Sequence, residues 1–182
     1  MPTSTTEVWD TITSEAERES VLWTAALRSP DEQEREAVFS PLAEPRYALG
    51  VETIYEGYLL HYGRPRLFAP DDPDSALLLG DYLYAHGLVR IEQVGRVEAV
   101  DDLAELIALC AYLQAEAIAG DGALWAATAA LLGRSALEDG RAALRLDNDP
   151  KPLERAAKRV VGDGLVEAAL HAHRLRLRER LR

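Results

Sequence analysis

The sequence contains a single cysteine and no long apolar run. Cys110 has no partner for an intrachain disulfide, and its apolar surroundings predict a packed core thiol in a reducing cytoplasm. No stretch of about eighteen apolar residues exists, which argues against a transmembrane helix. The first seven residues, Met-Pro-Thr-Ser-Thr-Thr-Glu, lack the basic and apolar regions of a signal peptide. We therefore predict a cytoplasmic protein without a transmembrane segment.

Positive charge is also scarce. The chain has 20 Lys and Arg against 31 Asp and Glu, and its formal net charge of -11 argues against nucleic acid as the main partner. Residues 174–182 are the exception, because five Arg and one Glu give this end a local charge of +4 and leave -15 for the remainder. Cations are favourable near a helix C-terminus, so we predict a solvated basic helix end.

β-Branched residues are sparse, whereas Leu and Ala dominate the apolar fraction. This composition favours helix over strand. A chain of 182 residues suits one domain, which buries roughly 70% of the surface of the unfolded chain. We find no convincing strand and no internal repeat, and we predict a single all-α helical bundle over 1–182.

Turn and capping signals divide this bundle into helices. Residues 1–13 are predicted to be frayed, and Ser14 is predicted to cap the first helix. The acidic run Asp71-Asp72-Pro73-Asp74 is predicted to be a loop and helix N-cap rather than a metal site. In the first half of the chain, helices are expected over 15–28, from 29–31 onward, and over 46–62 and 75–91. In the second half they are expected over 101–119, 124–132 and 152–161, and 135–146 is a candidate continuation of the helix over 124–132. The last helix is expected along the apolar stripe of Val166, Leu170, His173, Leu177 and Leu181.

The stretch 75–91 is apolar on nearly every side, which predicts a helix at the centre of the domain. Gly80 interrupts it, and a residue this small lets a neighbouring helix approach closely. Asp81 places a carboxylate in the same run, where burial requires a partner or a metal. Two interpretations stay open for Asp81: a bond to an Arg or a backbone amide, or a position that faces a ligand.

The residues Ala-Leu-Leu-Leu-Gly-Asp-Tyr-Leu at 76–83 resemble a helix of the trans-isoprenyl (polyprenyl) diphosphate synthases. Further segments within residues 45–145 follow that family's order and approximate spacing. Gly63-Arg64-Pro65 stands where the family has an Arg-Gly-x-Pro loop, 103–116 resembles the next helix, and Thr128-Ala129-Ala130-Leu131 matches a Lys-Thr-Ala-x-Leu segment. The resemblance implies a truncated version of the isoprenoid synthase fold.

Catalysis in that family implies Mg²⁺ ions, which two Asp-rich motifs hold against a leaving diphosphate. The first motif would fall near 51–56, where Glu52 and Glu56 share a helix face but the Asp pair is missing. These two residues are weak metal candidates. Ala127 replaces the family's lysine, and the second motif has no counterpart. We therefore expect no cofactor, with Mg²⁺ only if the degenerate site is active.

The resemblance implies a non-catalytic accessory subunit or pseudoenzyme of isoprenoid chain synthesis. Its partner would be a second copy or a catalytic prenyl diphosphate synthase subunit, and the apolar helices at 76–91 and 103–118 fit such an interface. Two alternatives stay open: a helical protein that binds an isoprenoid or another apolar ligand, and an enzyme with a rearranged Mg²⁺-dependent diphosphate site. Arg66 is a further anion-binding candidate. The candidates for the ligand or diphosphate side are Glu52, Glu56, Arg64, Asp81 and Thr128.

Overall fold

A computed structural model describes residues 5–177, with side chains from residue 7 onward. Within this span the chain is all-α, as predicted, and its only β-type pairings are two isolated bridges, Leu27 with Phe68 and Gly63 with Leu177. Two short 3-10 turns, Ser40–Leu42 and Pro45–Tyr47, precede the third helix. The α-helices are α1 Thr5–Glu19, α2 Val21–Ala26, α3 Ala48–Tyr62, α4 Pro73–Val94, α5 Val97–Ala115, α6 Asp121–Leu131, α7 Glu138–Asp147, α8 Lys151–Val161 and α9 Asp163–Arg176.

The N-terminal region is helical where a frayed segment was expected. The prediction for 1–13 is wrong in its described part, because α1 begins at Thr5, while residues 1–4 lie outside the described residues. Trp9 and Ile12 are 1% exposed and belong to a core cluster that includes Phe68. The many Thr residues around them are weak helix formers, and they concealed this apolar spacing.

The chain between α1 and α3 also differs from the prediction. The helix expected over 15–28 is instead the end of α1 followed by α2, and Ser20 rather than Ser14 caps the new helix, since its hydroxyl accepts a hydrogen bond from the amide of Leu22 at 3.1 Å. The helix expected from 29–31 onward does not form, because residues 29–39 are not helical. Backbone amides of the segment 28–39 donate hydrogen bonds to carbonyl oxygens of the loop before α4 and to the carboxylate of Glu52 on α3. These amides are therefore not available for helical hydrogen bonds within the segment.

The centre of the bundle is formed by α3 and α6. α3 is buried from Gly50 to Leu60, and every residue of α6 is buried. The helix predicted over 75–91 exists as α4, but its predicted central position is wrong, because α4 buries one face against α3 and exposes more than half of Leu77, Leu78 and Val89. An apolar pattern does not distinguish burial within one chain from a surface that a partner covers.

Glycines let α3 and α4 cross closely, which confirms the role predicted for Gly80. A Cβ atom at Gly80 would lie 2.5 Å from Nε2 of His61. A Cβ atom at Gly87 would overlap Cγ1 of Ile54 and lie 3.1 Å from the carbonyl oxygen of Gly50. The two backbones are therefore in contact at positions that no larger residue can occupy without a shift.

Gly87→Ala is expected to lower the free energy of unfolding by about 1–2 kcal/mol, because the methyl group must displace Ile54 or separate the two backbones, which outweighs its helix propensity. Chemical denaturation followed by circular dichroism measures the change. Gly164→Ala in α9 is the matched control, since nothing lies within 4 Å of a Cβ atom there, and it should be neutral or stabilising. Equal stability of Gly87→Ala and the unmodified protein would contradict a close crossing.

The second half of the chain follows the predictions closely, with two exceptions. α7 does not continue α6, because Gly133 and Ser135 between them adopt positive φ angles of 74° and 50°. The basic end predicted to be solvated includes Arg176, which is 3% exposed and pairs with Glu34 and Glu36 at 3.2 and 3.3 Å. Residues 178–182 lie outside the described residues. Among the described helices, none is both long enough and apolar enough to cross a membrane.

Candidate functional site

Glu52 and Glu56, the candidate metal ligands, both contact Arg66 in the interior. All three side chains are fully buried. Nη1 of Arg66 lies 2.5 Å from Oε2 of Glu52, and Nε lies 2.9 Å from Oε2 of Glu56. The rings of Trp9 and Tyr55 lie 4.8 and 5.0 Å from the guanidinium carbon. The two carboxylates and the guanidinium form one compact charge cluster, here named the Arg66 cluster.

The remaining oxygen of each carboxylate is occupied by backbone amides. Oε1 of Glu52 accepts hydrogen bonds from two amides of the 38–40 segment, at 3.1 and 2.9 Å. Oε1 of Glu56 accepts two more from the 66–67 segment, at 2.8 and 2.7 Å. Burial by itself would lower the pKa of Arg66, but the two carboxylates raise it above its ordinary value, so the guanidinium stays charged. The cluster fixes both segments to α3.

Mg²⁺ does not fit between these carboxylates. The guanidinium of Arg66 occupies the space that a cation would need, and the amides use the acceptor positions that remain. In the span 7–177, no group of three or more His, Cys, Asp or Glu side chains could hold a metal ion. The metal assignment of Glu52 and Glu56 therefore stays a prediction, and their contacts with Arg66 do not support it.

Asp81 is exposed rather than buried. Its side chain is 65% exposed, and Oδ1 lies 3.2 Å from Nε2 of His61, a side chain that is only 9% exposed. Burial lowers the pKa of His61, although Asp81 acts in the opposite direction. The partner of Asp81 is thus a histidine, where sequence reasoning expected an arginine, a backbone amide or a ligand.

Arg64 and Thr128 occupy separate positions. Arg64 has a 57% exposed side chain, and Nη1 lies 3.3 Å from Oε1 of Glu34. Thr128 is buried within α6, and its hydroxyl has no hydrogen-bond partner among the described residues. Of the five sequence candidates, the structure brings only Glu52 and Glu56 together around a shared partner.

A pocket of about 690 Å³ lies where the end of α3, the 63–72 loop and the start of α4 meet. We name it the loop pocket. Its wall is mostly apolar, and its polar groups lie among apolar side chains from three segments. The apolar wall includes Leu60, Phe68 and Leu77, and the polar groups are Arg28, His61, Arg64, Asp71 and Asp72.

A buried polar network joins α3, α5, α6 and α9, and sequence reasoning missed it. Nδ1 of His173 lies 2.9 Å from the hydroxyl of Tyr55, and Nε2 lies 3.4 Å from Oδ2 of Asp121. The hydroxyl of Tyr58 donates to the same Oδ2, and Nε2 of Gln114 donates to it at 3.2 Å. A histidine in the apolar stripe of α9 was the one signal that a buried partner exists.

This network holds a buried negative charge. Burial would raise the pKa of Asp121, but the interactions with His173 and Tyr58 lower it to about 2. Burial and the carboxylate of Asp121 raise the pKa of Tyr58, which keeps its hydroxyl protonated as a donor. None of these residues lines the loop pocket. The arrangement therefore holds four helices together.

The fold and these sites define an all-α bundle whose buried charges are paired internally. Comparison of the chain with protein-family models, with curated proteins and with solved structures finds no match. The resemblance to the trans-isoprenyl diphosphate synthases therefore stays a prediction.

Proposed function

We propose that this chain is a non-catalytic accessory protein, related to the prenyl diphosphate synthases, that acts in the cytoplasm by pairing with another chain in isoprenoid chain synthesis. The Arg66 cluster supports this proposal. Glu52 and Glu56 stand where that family is expected to hold Mg²⁺, and here both carboxylates are used to bind Arg66 and backbone amides. Without free carboxylates, this position cannot hold a metal on a leaving diphosphate.

The outer face of α4 is the surface that we assign to the partner. Leu78, Ala85 and Val89 are exposed and fall within about 40° of one another around the helix axis. α2 lies beside this face, because the ring centroids of Trp23 and Tyr82 are 5.8 Å apart. Patches of exposed apolar residues mark interaction surfaces. The outer surface consists of Leu78, Ala85 and Val89 on α4 and Val21 and Leu22 on α2.

The partner is a second copy of this chain or a catalytic prenyl diphosphate synthase subunit. A stable pair of either kind buries about 2,000 Å² or more, with apolar residues at its centre. The outer surface supplies apolar side chains that are exposed to solvent in the isolated chain. Pairing through it would also explain why a helix with the composition of 75–91 is only half buried.

The double variant Leu78→Glu/Val89→Glu is expected to be monomeric in light scattering at micromolar concentration, whereas the unmodified chain pairs with itself or with an added synthase subunit. Both side chains are exposed, so the circular dichroism spectrum should not change. Leu146→Glu is the matched control, because Leu146 is 77% exposed on α7, away from the outer surface, and pairing should persist.

Three results would contradict the proposal. An unmodified chain that stays monomeric and binds no synthase subunit would remove the partner role. A double variant that pairs as well as the unmodified chain would remove the assignment of the outer surface. Mg²⁺-dependent formation of a prenyl product by the purified chain, abolished by Glu52→Gln, would remove the non-catalytic role.

A further inference from the structure

Arg28 is the one partly buried arginine that forms no ion pair within the described span. Five arginines there are buried or half-buried, and Arg28 is the fifth. Its Nε is shielded from solvent and has no hydrogen-bond partner. Acidic residues outnumber basic ones by 31 to 20, so this is not explained by a shortage of carboxylates. The other four pair as Arg66 with Glu52 and Glu56, Arg90 with Glu15, Arg141 with Asp102, and Arg176 with Glu34 and Glu36.

Backbone pairing fixes Arg28 at the wall of the loop pocket. Its amide donates to the carbonyl oxygen of Leu67 at 2.9 Å, and the amide of Ala69 donates to Ala26 at 2.7 Å. These bonds flank the isolated bridge between Leu27 and Phe68. The position of Arg28 therefore depends on main-chain bonds, which a change of side chain leaves in place.

Most of the other ionisable groups of the pocket already have partners within the chain. Arg64 pairs with Glu34, and His61 lies beside Asp81. Asp72 caps α4, since its carboxylate accepts hydrogen bonds from the amide and the hydroxyl of Ser75 at 2.8 and 2.7 Å. Among the lining residues, two charged groups form neither an ion pair nor a helix cap: the guanidinium of Arg28 and the carboxylate of Asp71.

We propose that the loop pocket binds an anionic amphiphile. Its apolar chain packs against Leu60, Phe68 and Leu77, and its anionic head pairs with Arg28. The pocket volume of about 690 Å³ falls within the usual range of small-molecule sites, and a mostly apolar wall with few polar groups is typical of them. A guanidinium fork matches the two oxygens of a phosphate or carboxylate head. Such a head supplies the partner that Arg28 lacks.

Dodecyl phosphate, used below its micelle concentration, is the probe, and calorimetry measures its binding. Inorganic phosphate and dodecanol carry only the head or only the chain, so each should bind at least tenfold more weakly. Arg28→Gln should weaken dodecyl phosphate binding at least tenfold, and Arg28→Lys should weaken it less. Asp71→Asn should strengthen binding severalfold, because it removes a negative charge from the wall of the same pocket. Arg145→Gln on α7 is the control and should change nothing.

Equal affinity of Arg28→Gln and the unmodified chain would overturn the proposal, as would dodecanol binding as tightly as dodecyl phosphate or an absence of binding by all three compounds. If Arg28→Gln does not fold, the affinity of Asp71→Asn for dodecyl phosphate is the deciding measurement. An affinity equal to that of the unmodified chain would also contradict the proposal. Binding by the Leu78→Glu/Val89→Glu variant should equal that of the unmodified chain. The ligand site is thus tested separately from the partner surface.

Discussion

Arg66→Met is expected to destabilise the protein by about 3–5 kcal/mol or more, because it leaves Glu52 and Glu56 buried without a cation. Methionine still fills the space beside Trp9 and Tyr55, so the missing charge and its hydrogen bonds dominate the change. The loss is a large part of the total stability of about 5–15 kcal/mol that is typical of a domain. Urea unfolding should therefore show a midpoint shifted strongly to lower urea concentration.

Arg64→Met is the matched control for this change. It makes the same Arg-to-Met change two residues earlier in the chain. Because Arg64 is exposed and pairs with Glu34 at the surface, the loss in the free energy of unfolding should stay below about 1 kcal/mol. The triple variant Glu52→Gln/Glu56→Gln/Arg66→Met should recover much of the lost stability, because no buried charge remains and the glutamine oxygens still accept the amides. A loss no greater than that of Arg64→Met would contradict a structural role for the Arg66 cluster.

Asp121→Asn is expected to lower the free energy of unfolding by about 2 kcal/mol at pH 7, because folding lowers the pKa of this carboxyl from its ordinary value of 3.8 to about 2. A group with a lowered pKa in the folded state stabilises it fully above pH 3.8, and the contribution disappears as the pH falls through about 2. The difference between the two proteins should therefore shrink to about half at pH 3. Urea unfolding from pH 7 to pH 3 measures it.

Asp147→Asn is the control for this pH dependence. Asp147 is exposed at the end of α7, so its replacement should change stability little at any pH in this range. The control also cancels the general effect of protonating the other carboxyl groups of an acidic protein. A constant difference between Asp121→Asn and the unmodified protein from pH 7 to pH 3 would mean that the carboxylate of Asp121 is not stabilised by His173 and Tyr58.

Helix positions were predictable where the signal is local. The N-cap assigned to the 71–74 run is confirmed, because Asp72 accepts a hydrogen bond from the amide of Ser75 three residues later. The interior of α3 and the apolar stripe of α5 also repeat at helical spacing. Such patterns depend on neighbours within one or two turns, and they carry enough information to place a helix.

Predictions failed where the answer depends on contacts between distant segments. Glu52 and Glu56 form the same i, i+4 pair whether they face a metal or a guanidinium, and their partner follows only from the path of the 63–72 loop. The apolar composition of α4 could not show which of its faces has no neighbour in the chain. Asp121 lies in a Gly-Asp-Gly sequence that indicates a turn, and its partner Tyr58 is 63 residues away. None of these partners has a local signature.

The network around His173 also has a consequence for biosynthesis. Tyr55 lies on the third helix, and the histidine that bonds it is 118 residues further along the chain. While the protein is being made, α3 therefore emerges from the ribosome long before α9 exists to cover it. During that interval Tyr55, Phe39 and their neighbours present an open aromatic surface, the condition in which a nascent chain is most prone to aggregate. Among the described helices, α9 is synthesised after all the others that form this core.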